Sequence, residues 1–212
     1  AADVPVATFS ASGSGSLLHP DGVDSYVQFA MDTQPIAARL GAKTLVIHEG
    51  ELGEGGAVVH DIAPNTITRW ITAYKGLKKL AAFAEANNIT YCLEVLNTKV
   101  DHAGYSLNLV EDAVRLIREV DSPNILVLMD IYLSQVDEGN VVELIRNFHP
   151  YIGHYHVADV PGRHEPGTGE MNYAFIAGVL REVGYEGVVG LEAYPSSDGD
   201  TALRRFREAF SV

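Results

Sequence analysis

The sequence predicts an α/β fold, a parallel sheet with helices, curled into a β/α barrel rather than spread as a doubly wound sheet. Three observations predict it. Six short β-branched runs are apolar almost without interruption, as strands covered on both faces are. Longer segments between them repeat apolar residues three or four apart, as helices do. Carboxylates and imidazoles sit where several runs end: His48 and Glu49, Glu94, Asp130, His156 and Glu192. In a parallel β/α barrel, the C-terminal ends of all strands open onto one face, where such groups converge.

The first run is Val4 to Phe9, and a helix follows from Ser25 to Leu40. Its residues Val27, Ala30, Met31, Ala37 and Leu40 recur at helical spacing, and Gly41 ends it. Gly13 and Gly15 follow the first strand without a third glycine to open a helix, so this segment reads as a flexible loop and not a dinucleotide fingerprint. Thr44 to His48 is the second strand. Thr66 to Asn88 is a helix carrying Trp70, Tyr74, Leu77, Leu80 and Phe83 on one stripe. Ile89 to Glu94 is the third strand. Asn108 followed by Glu111 resembles a capping signal for a helix with Val110, Val114 and Ile117 buried. Ile125 to Asp130 is the fourth strand, and Val141 to Phe148 a shorter helix. Ile152 to Val157 is the fifth strand, and Asn172 to Val183 a helix ending at Gly184. Val188 to Glu192 is the sixth strand, and Asp200 to Phe210 a final helix with Leu203, Phe206 and Phe210 on one face.

The 212 residues suffice for one sizeable domain, and no linker divides 1–212. Hydrophobic residues make up 47% and charged residues 20%, a globular balance. With 28 acidic against 15 basic residues, the formal net charge of -13 disfavours a nucleic-acid partner. The lone Cys92 lies in an apolar run, reads as a small core residue and fits a reducing cytoplasm. No apolar stretch is long enough to span a membrane, and AADVPVATFS lacks the pattern of a signal peptide.

Converging carboxylates need a physical reason, because like charges repel and desolvating each one is costly. Taken singly, each strand-end carboxylate reads as a cap for the loop that follows. Taken together, Glu94, Asp130, His156 and Glu192 offer three carboxylates and an imidazole. That hard donor set suits one divalent cation, Mg²⁺ or Mn²⁺.

At these residues the sequence resembles the xylose-isomerase-like TIM-barrel superfamily, which includes hydroxypyruvate isomerases, ketose epimerases and endonuclease IV. LEVLNTKVDHAGYSLN is similar to the family's Glu-x-x-Asn stretch, and MDIYLSQVDEG to its metal-binding Asp segment. GHYHVADVPGRHEPGTGEMNY is the most specific match, and its GRHEPGTGE core is similar to hydroxypyruvate isomerases. GLEAY matches the last strand. The resemblance implies that Glu94, Asp130, His156 and Glu192 hold the metal and that Glu94 and Glu192 move protons. It implies an isomerisation in which a proton leaves the carbon beside a carbonyl and returns to its neighbour, the metal stabilising the enediolate. Arg163 and Lys99 then become candidates to neutralise a substrate carboxylate, with a solvated loop cation the other reading of Lys99. His164 and Glu165 either shape the site or fix the loop. His48 either contacts substrate or fills a buried hydrogen-bonded position, and His154 reads as a supporting or core histidine.

The sequence also departs from the family. Leu133 stands where many relatives carry a His, and Gly162 where the endonuclease branch has an Asp for extra zinc. The family barrel has eight strands, whereas this sequence shows six. VPVATFSASGSGSLLHPDG resembles the family's third strand, so the first two β/α units are not in this sequence. An open sheet leaves unpaired edges and exposed core, which leads to the expectation of a homo-oligomer covering the open side. The leading expectation is a metal-dependent isomerase acting on hydroxypyruvate or a related hydroxy-carbonyl compound. The alternatives are a ketose 3-epimerase, a non-catalytic truncated barrel and an abasic-DNA endonuclease.

Overall fold

Each apolar run of the sequence overlaps a strand, and each longer periodic segment forms a helix. The computed structural model describes residues 4–211. The elements are β1 (Thr8–Ser10), α1 (Val23–Leu40), β2 (Thr44–Ile47), α2 (Thr66–Asn87), β3 (Thr90–Glu94), α3 (Val110–Val120) and β4 (Ile125–Asp130). They continue with α4 (Ile131–Asp137), α5 (Val141–Phe148), β5 (Ile152–Val157), α6 (Tyr173–Glu182), β6 (Val189–Leu191) and α7 (Gly199–Phe210). The six strands form one sheet in the order β1 to β6, each parallel to its neighbour, curled as a half-barrel. The expected α/β class and six-strand count therefore hold. Among the described residues, no helix is long and apolar enough to cross a membrane.

Strand alternation gives the sheet two different faces. Leu45, Ile47, Tyr91, Leu93, Val127, Met129, Tyr155 and Val157 point into the layer shared with the helices, where Ala37, Leu77, Leu80, Val110 and Ile117 meet them. The other face carries a smaller apolar cluster of Val46, Cys92 and Leu128, with Leu126 against it. Cys92 is a buried core residue, as expected, and burial pushes its thiol up to about 12. Two residues further along the same face come His48, Glu94 and Asp130. The inner face thus changes from apolar to ionisable at the strands' C-terminal ends.

Three local expectations need correction. The first strand lies at Thr8–Ser10, not Val4–Phe9, because Thr8 and Ser10 pair with Thr44 and Val46 on the inner face. There polar side chains are tolerated, so an apolar run places the strand too early. Asn108 does not cap α3: the flanking residue is Leu109, without a side-chain cap. Asn108 Nδ2 instead donates to Asp137 Oδ2 (2.9 Å), and Glu138 Oε1 accepts from the Val110 N–H (2.9 Å). Helix α4 was not expected, and follows β4 with no intervening loop. Asp130 begins it, its Oδ1 accepting from the Leu133 N–H at 3.0 Å.

The N-terminus of α2 is capped by Asn65, whose Oδ1 accepts from Ile67 N (2.9 Å) and Thr68 N (3.2 Å). Asn65→Ala is expected to cost ~1 kcal/mol. Leu93→Ala, in the fully buried helix-facing layer, is expected to cost ~2–5 kcal/mol through lost transfer energy and a cavity. Urea unfolding with unchanged m-values checks both, and a Leu93→Ala effect no larger than that of Asn65→Ala contradicts this layer's role.

Candidate metal centre and active site

Parallel strands of similar register end at one level, and that level is where the ionisable residues meet. Glu94 ends β3, Asp130 ends β4, His156 lies near the end of β5, and Glu192 follows β6. Asp130 pairs directly with His156, and His156 with Gly190, two residues before Glu192 on the same face. A Cβ at Gly190 would lie 3.1 Å from the His156 ring and 3.3 Å from that of His154, so the bare backbone leaves room for both imidazoles. The four expected ligand residues each present an atom within 4.8 Å of all the others. Ligands ~2.1–2.4 Å from a common ion span about this distance. The donor set, three carboxylates and an imidazole, could hold a single metal ion.

The cluster is strongly coupled. His48 Nε2 donates to Glu94 Oε2 at 2.9 Å, and His156 Nδ1 to Glu94 Oε1 at 3.3 Å. His156 Nδ1 also lies 3.3 Å from Glu192 Oε2. Burial opposes ionisation of Glu94, but the bonds from His156 and His48 outweigh it and hold the carboxyl well below its ordinary range. Glu192 is lowered as well, its burial outweighed by the hydrogen bond from His156. Asp130 behaves oppositely. Complete burial pushes it up to about 7, against the pull of Arg163 and with the added repulsion of Glu94 and Glu192. Burial disfavours the His156 cation, yet its bonds to Glu192 and Glu94 raise it to about 10. Glu192, with 48% of its side chain exposed, forms the open side of the cluster, whereas Asp130 is fully enclosed.

Arg163 completes the cluster. Its Nη2 donates to Asp130 Oδ2 at 3.0 Å and to Glu192 Oε2. The guanidinium lies over the Tyr132 ring, 5.3 Å from its centroid. The loop carrying Arg163 is built around Asp159. This buried carboxylate accepts from the N–H groups of Val160, Gly167, Thr168 and Met171, at 2.9 to 3.0 Å. Gly169 is required here, since a Cβ would sit 2.1 Å from the Val160 carbonyl oxygen. His164 Nδ1 donates to the Tyr194 carbonyl at 2.7 Å. Glu165 accepts from Ser196 N (2.9 Å), Ser196 Oγ (2.7 Å) and Arg205 Nη1 (2.9 Å). His164 and Glu165 therefore fasten the loop to the segment after β6.

The other expected residues separate cleanly. His48 is both hydrogen-bonded and beside the cluster through Glu94. His154 is buried beneath His156 with its Nε2 unpartnered, and burial, then the neighbouring His156 charge, lowers it to about 4. Lys99 turns to the end of α4, donating to the carbonyls of Asp137 (2.7 Å) and Val136 (3.3 Å). Sequence reasoning missed Asp159, Asp137 and Tyr132. It named Glu49 only as a strand-end polar residue. One position past His48, Glu49 points to the opposite face, where it accepts from Ser106 N, Leu107 N and His60 Nε2 and joins two loops. Its signal was the alternation of the strand itself.

A family model described as the xylose isomerase-like TIM barrel matches residues 1–210. A protein from Danio rerio named "Putative hydroxypyruvate isomerase" is 33% identical over 138 residues, covering 65% of this chain and 50% of that protein. A 2-oxo-tetronate isomerase from Cupriavidus necator is 36% identical over 132 residues, covering 62% and 50%. The chain thus spans about half the length of the curated relatives it matches. A crystal structure named AP endonuclease, family 2, from Brucella melitensis superposes with a TM-score of 0.79 at 27% identity, covering 95% of this chain and 77% of that one. The structure of D-psicose 3-epimerase with D-tagatose from Clostridium cellulolyticum H10 also gives 0.79, at 21% identity, covering 96% and 76%, a likeness of fold alone. With the strand-end cluster, the parallel sheet and the match over nearly its whole length, the chain belongs to the xylose isomerase-like TIM-barrel family.

Proposed function

We propose that this chain carries the active site of a divalent-metal-dependent isomerase that interconverts small hydroxy-carbonyl compounds, with hydroxypyruvate as the first substrate to test. The observation that carries this reading is the cluster of Glu94, Asp130, His156 and Glu192, with Glu94 and Glu192 each 3.3 Å from His156 Nδ1. When bound there, the cation supplies Lewis-acid polarisation of the substrate's carbonyl and hydroxyl oxygens. Two carboxylates in one site suit the transfer of a proton between adjacent carbons, one taking it and the other returning it. Glu94 is buried and oriented by His48 through Oε2, which gives a proton-moving carboxylate a fixed direction. Glu192, half exposed, stands where a proton can be exchanged with the substrate or with solvent.

The names of the relatives favour hydroxy-carbonyl isomerisation, and the GRHEPGTGE loop keeps this reading ahead of 3-epimerisation. Two features weigh against the abasic-DNA reading: the net charge of -13, and a buried Leu133 with Gly162 at positions that supply no further donors.

Calorimetric titration of metal-stripped protein with Mn²⁺ is expected to show one site, weakened by ~10–100-fold or more in Asp130→Asn. Absence of binding by the unaltered chain removes the metal centre from this reading. In D₂O, Mn²⁺-loaded protein is expected to wash deuterium into hydroxypyruvate. Glu94→Gln should slow this exchange by ~10²–10⁴-fold. A chain that binds Mn²⁺ but exchanges no proton in any small hydroxy-carbonyl compound is not an isomerase.

A further inference from the structure

We propose that Arg163 is the resident counter-cation of the metal centre: its guanidinium and the metal compete for the same oxygens of Asp130 and Glu192, and loading the metal displaces the arm. The inference rests on the metal-centre reading above and goes beyond it.

Three observations carry it. First, Arg163 Nη2 bridges Asp130 Oδ2 and Glu192 Oε2, atoms from two different residues of the four-residue donor cluster. Bridging ligands from separate strands is what a central cation does. Second, the contact is enclosed: the Arg163 side chain is 14% exposed and that of Asp130 is fully buried. Solvent screens such a pair poorly, so a metal ion bound to the same carboxylates meets the guanidinium's charge at close range. Third, the arm has somewhere to remain. It lies over the Tyr132 ring, which stands in the field of the Asp101 carboxylate. Asp101 also adds to the negative field at Arg163 and accepts from Asn97 Nδ2 at 2.6 Å. Swinging toward Asp101 along the Tyr132 face keeps the guanidinium partnered while vacating the carboxylates. Metal loading then frees planar, fork-shaped donors beside the reacting centre.

A purely structural arginine and a competing one predict opposite changes in metal affinity. A structural arginine supports the ligands, so its removal weakens metal binding. A competing arginine must be displaced, so its removal strengthens it. The test is calorimetric titration of the metal-stripped chain with MnCl₂, for the unaltered protein, Arg163→Met and Arg163→Lys. Arg163→Met is expected to bind Mn²⁺ about 10-fold more tightly or better, since the removed opposition is that of a poorly screened ion pair. Its metal-free form should unfold at a lower temperature, and Mn²⁺ should raise its midpoint by more than in the unaltered chain. Arg163→Lys keeps a charge but cannot present the fork, and is expected to fall between the two. If Arg163→Met does not fold without metal, the lysine variant decides. Mn²⁺ affinity equal to or weaker than that of the unaltered chain, in whichever variant folds, overturns the proposal. Failure of the unaltered chain to bind Mn²⁺ overturns the metal-centre reading and the proposal with it. Tight binding by the unaltered chain without tightening in the variants overturns this proposal alone.

Discussion

Mutual repulsion among three carboxylates is the constraint around which this end of the molecule is organised. Unit charges ~4 Å apart in a medium of effective dielectric ~20 repel by ~4 kcal/mol, a large fraction of the ~5–15 kcal/mol that stabilises a domain. Glu94, Asp130 and Glu192 therefore require cations and donors beside them, and each is supplied by a different element. His48 comes from the end of β2, His156 from β5, and Arg163 from the loop after β5. The first turn of α4 contributes the Leu133 N–H to Asp130. A parallel sheet makes this arrangement natural, because all its strands deliver their last residues to one rim. The same sheet places apolar Val46, Cys92 and Leu128 just below, so the low-dielectric floor that makes the repulsion severe also makes each compensating bond strong.

The acidic excess of the chain is only partly a surface property. Asp159, Glu165 and Glu49 are completely buried, and each accepts backbone N–H groups from loops at the sheet's C-terminal rim. Asp137 does the same for Thr98 and Lys99. Backbone amides are fixed dipoles that stabilise a carboxylate without introducing a mobile countercharge. The loops that frame the cluster are thus organised by acids that take no part in it. The Tyr105 hydroxyl connects two of these systems, accepting from the Glu49 N–H and donating to the Glu94 carbonyl.

Most of the sheet was legible in the sequence because strands covered on both faces need largely apolar runs, and β2 to β6 have them, with β5 interrupted only by His154 and His156. β1 was misplaced because its inner face, Thr8 and Ser10, is polar and its limits are set by pairing with β2. Helix α4 was hidden because it begins directly after Asp130 and, at 7 residues, is too short to show a helical period. The convergence of Glu94, Asp130, His156 and Glu192 was legible because four strand-end residues of this chemistry are improbable as independent caps, although Asp130 is also a cap. For Lys99, His164 and Glu165 the sequence left two readings open. Whether a loop cation turns inward or toward a helix end depends on carbonyls that sequence spacing does not locate. Asp159 lay in a proline- and glycine-rich stretch that announces a loop without saying which carboxylate organises it.

Arg163 sits at a φ of +54°, a left-handed conformation unusual for a side chain of its size. Its carbonyl accepts from the Tyr194 N–H at 2.8 Å, and Asp159 and Glu165 clamp the loop on either side of it. The backbone beneath this side chain is therefore anchored on both flanks, and movement of the guanidinium is confined to its own torsions. Exposed side chains exchange rotamers in picoseconds to nanoseconds, and an enclosed arm such as Arg163 more slowly, whereas loops rearrange in nanoseconds to microseconds or longer. A cationic arm mounted on an immobile base can change partners without opening the rim, so its speed is set by the bonds it breaks and not by the fold that carries it.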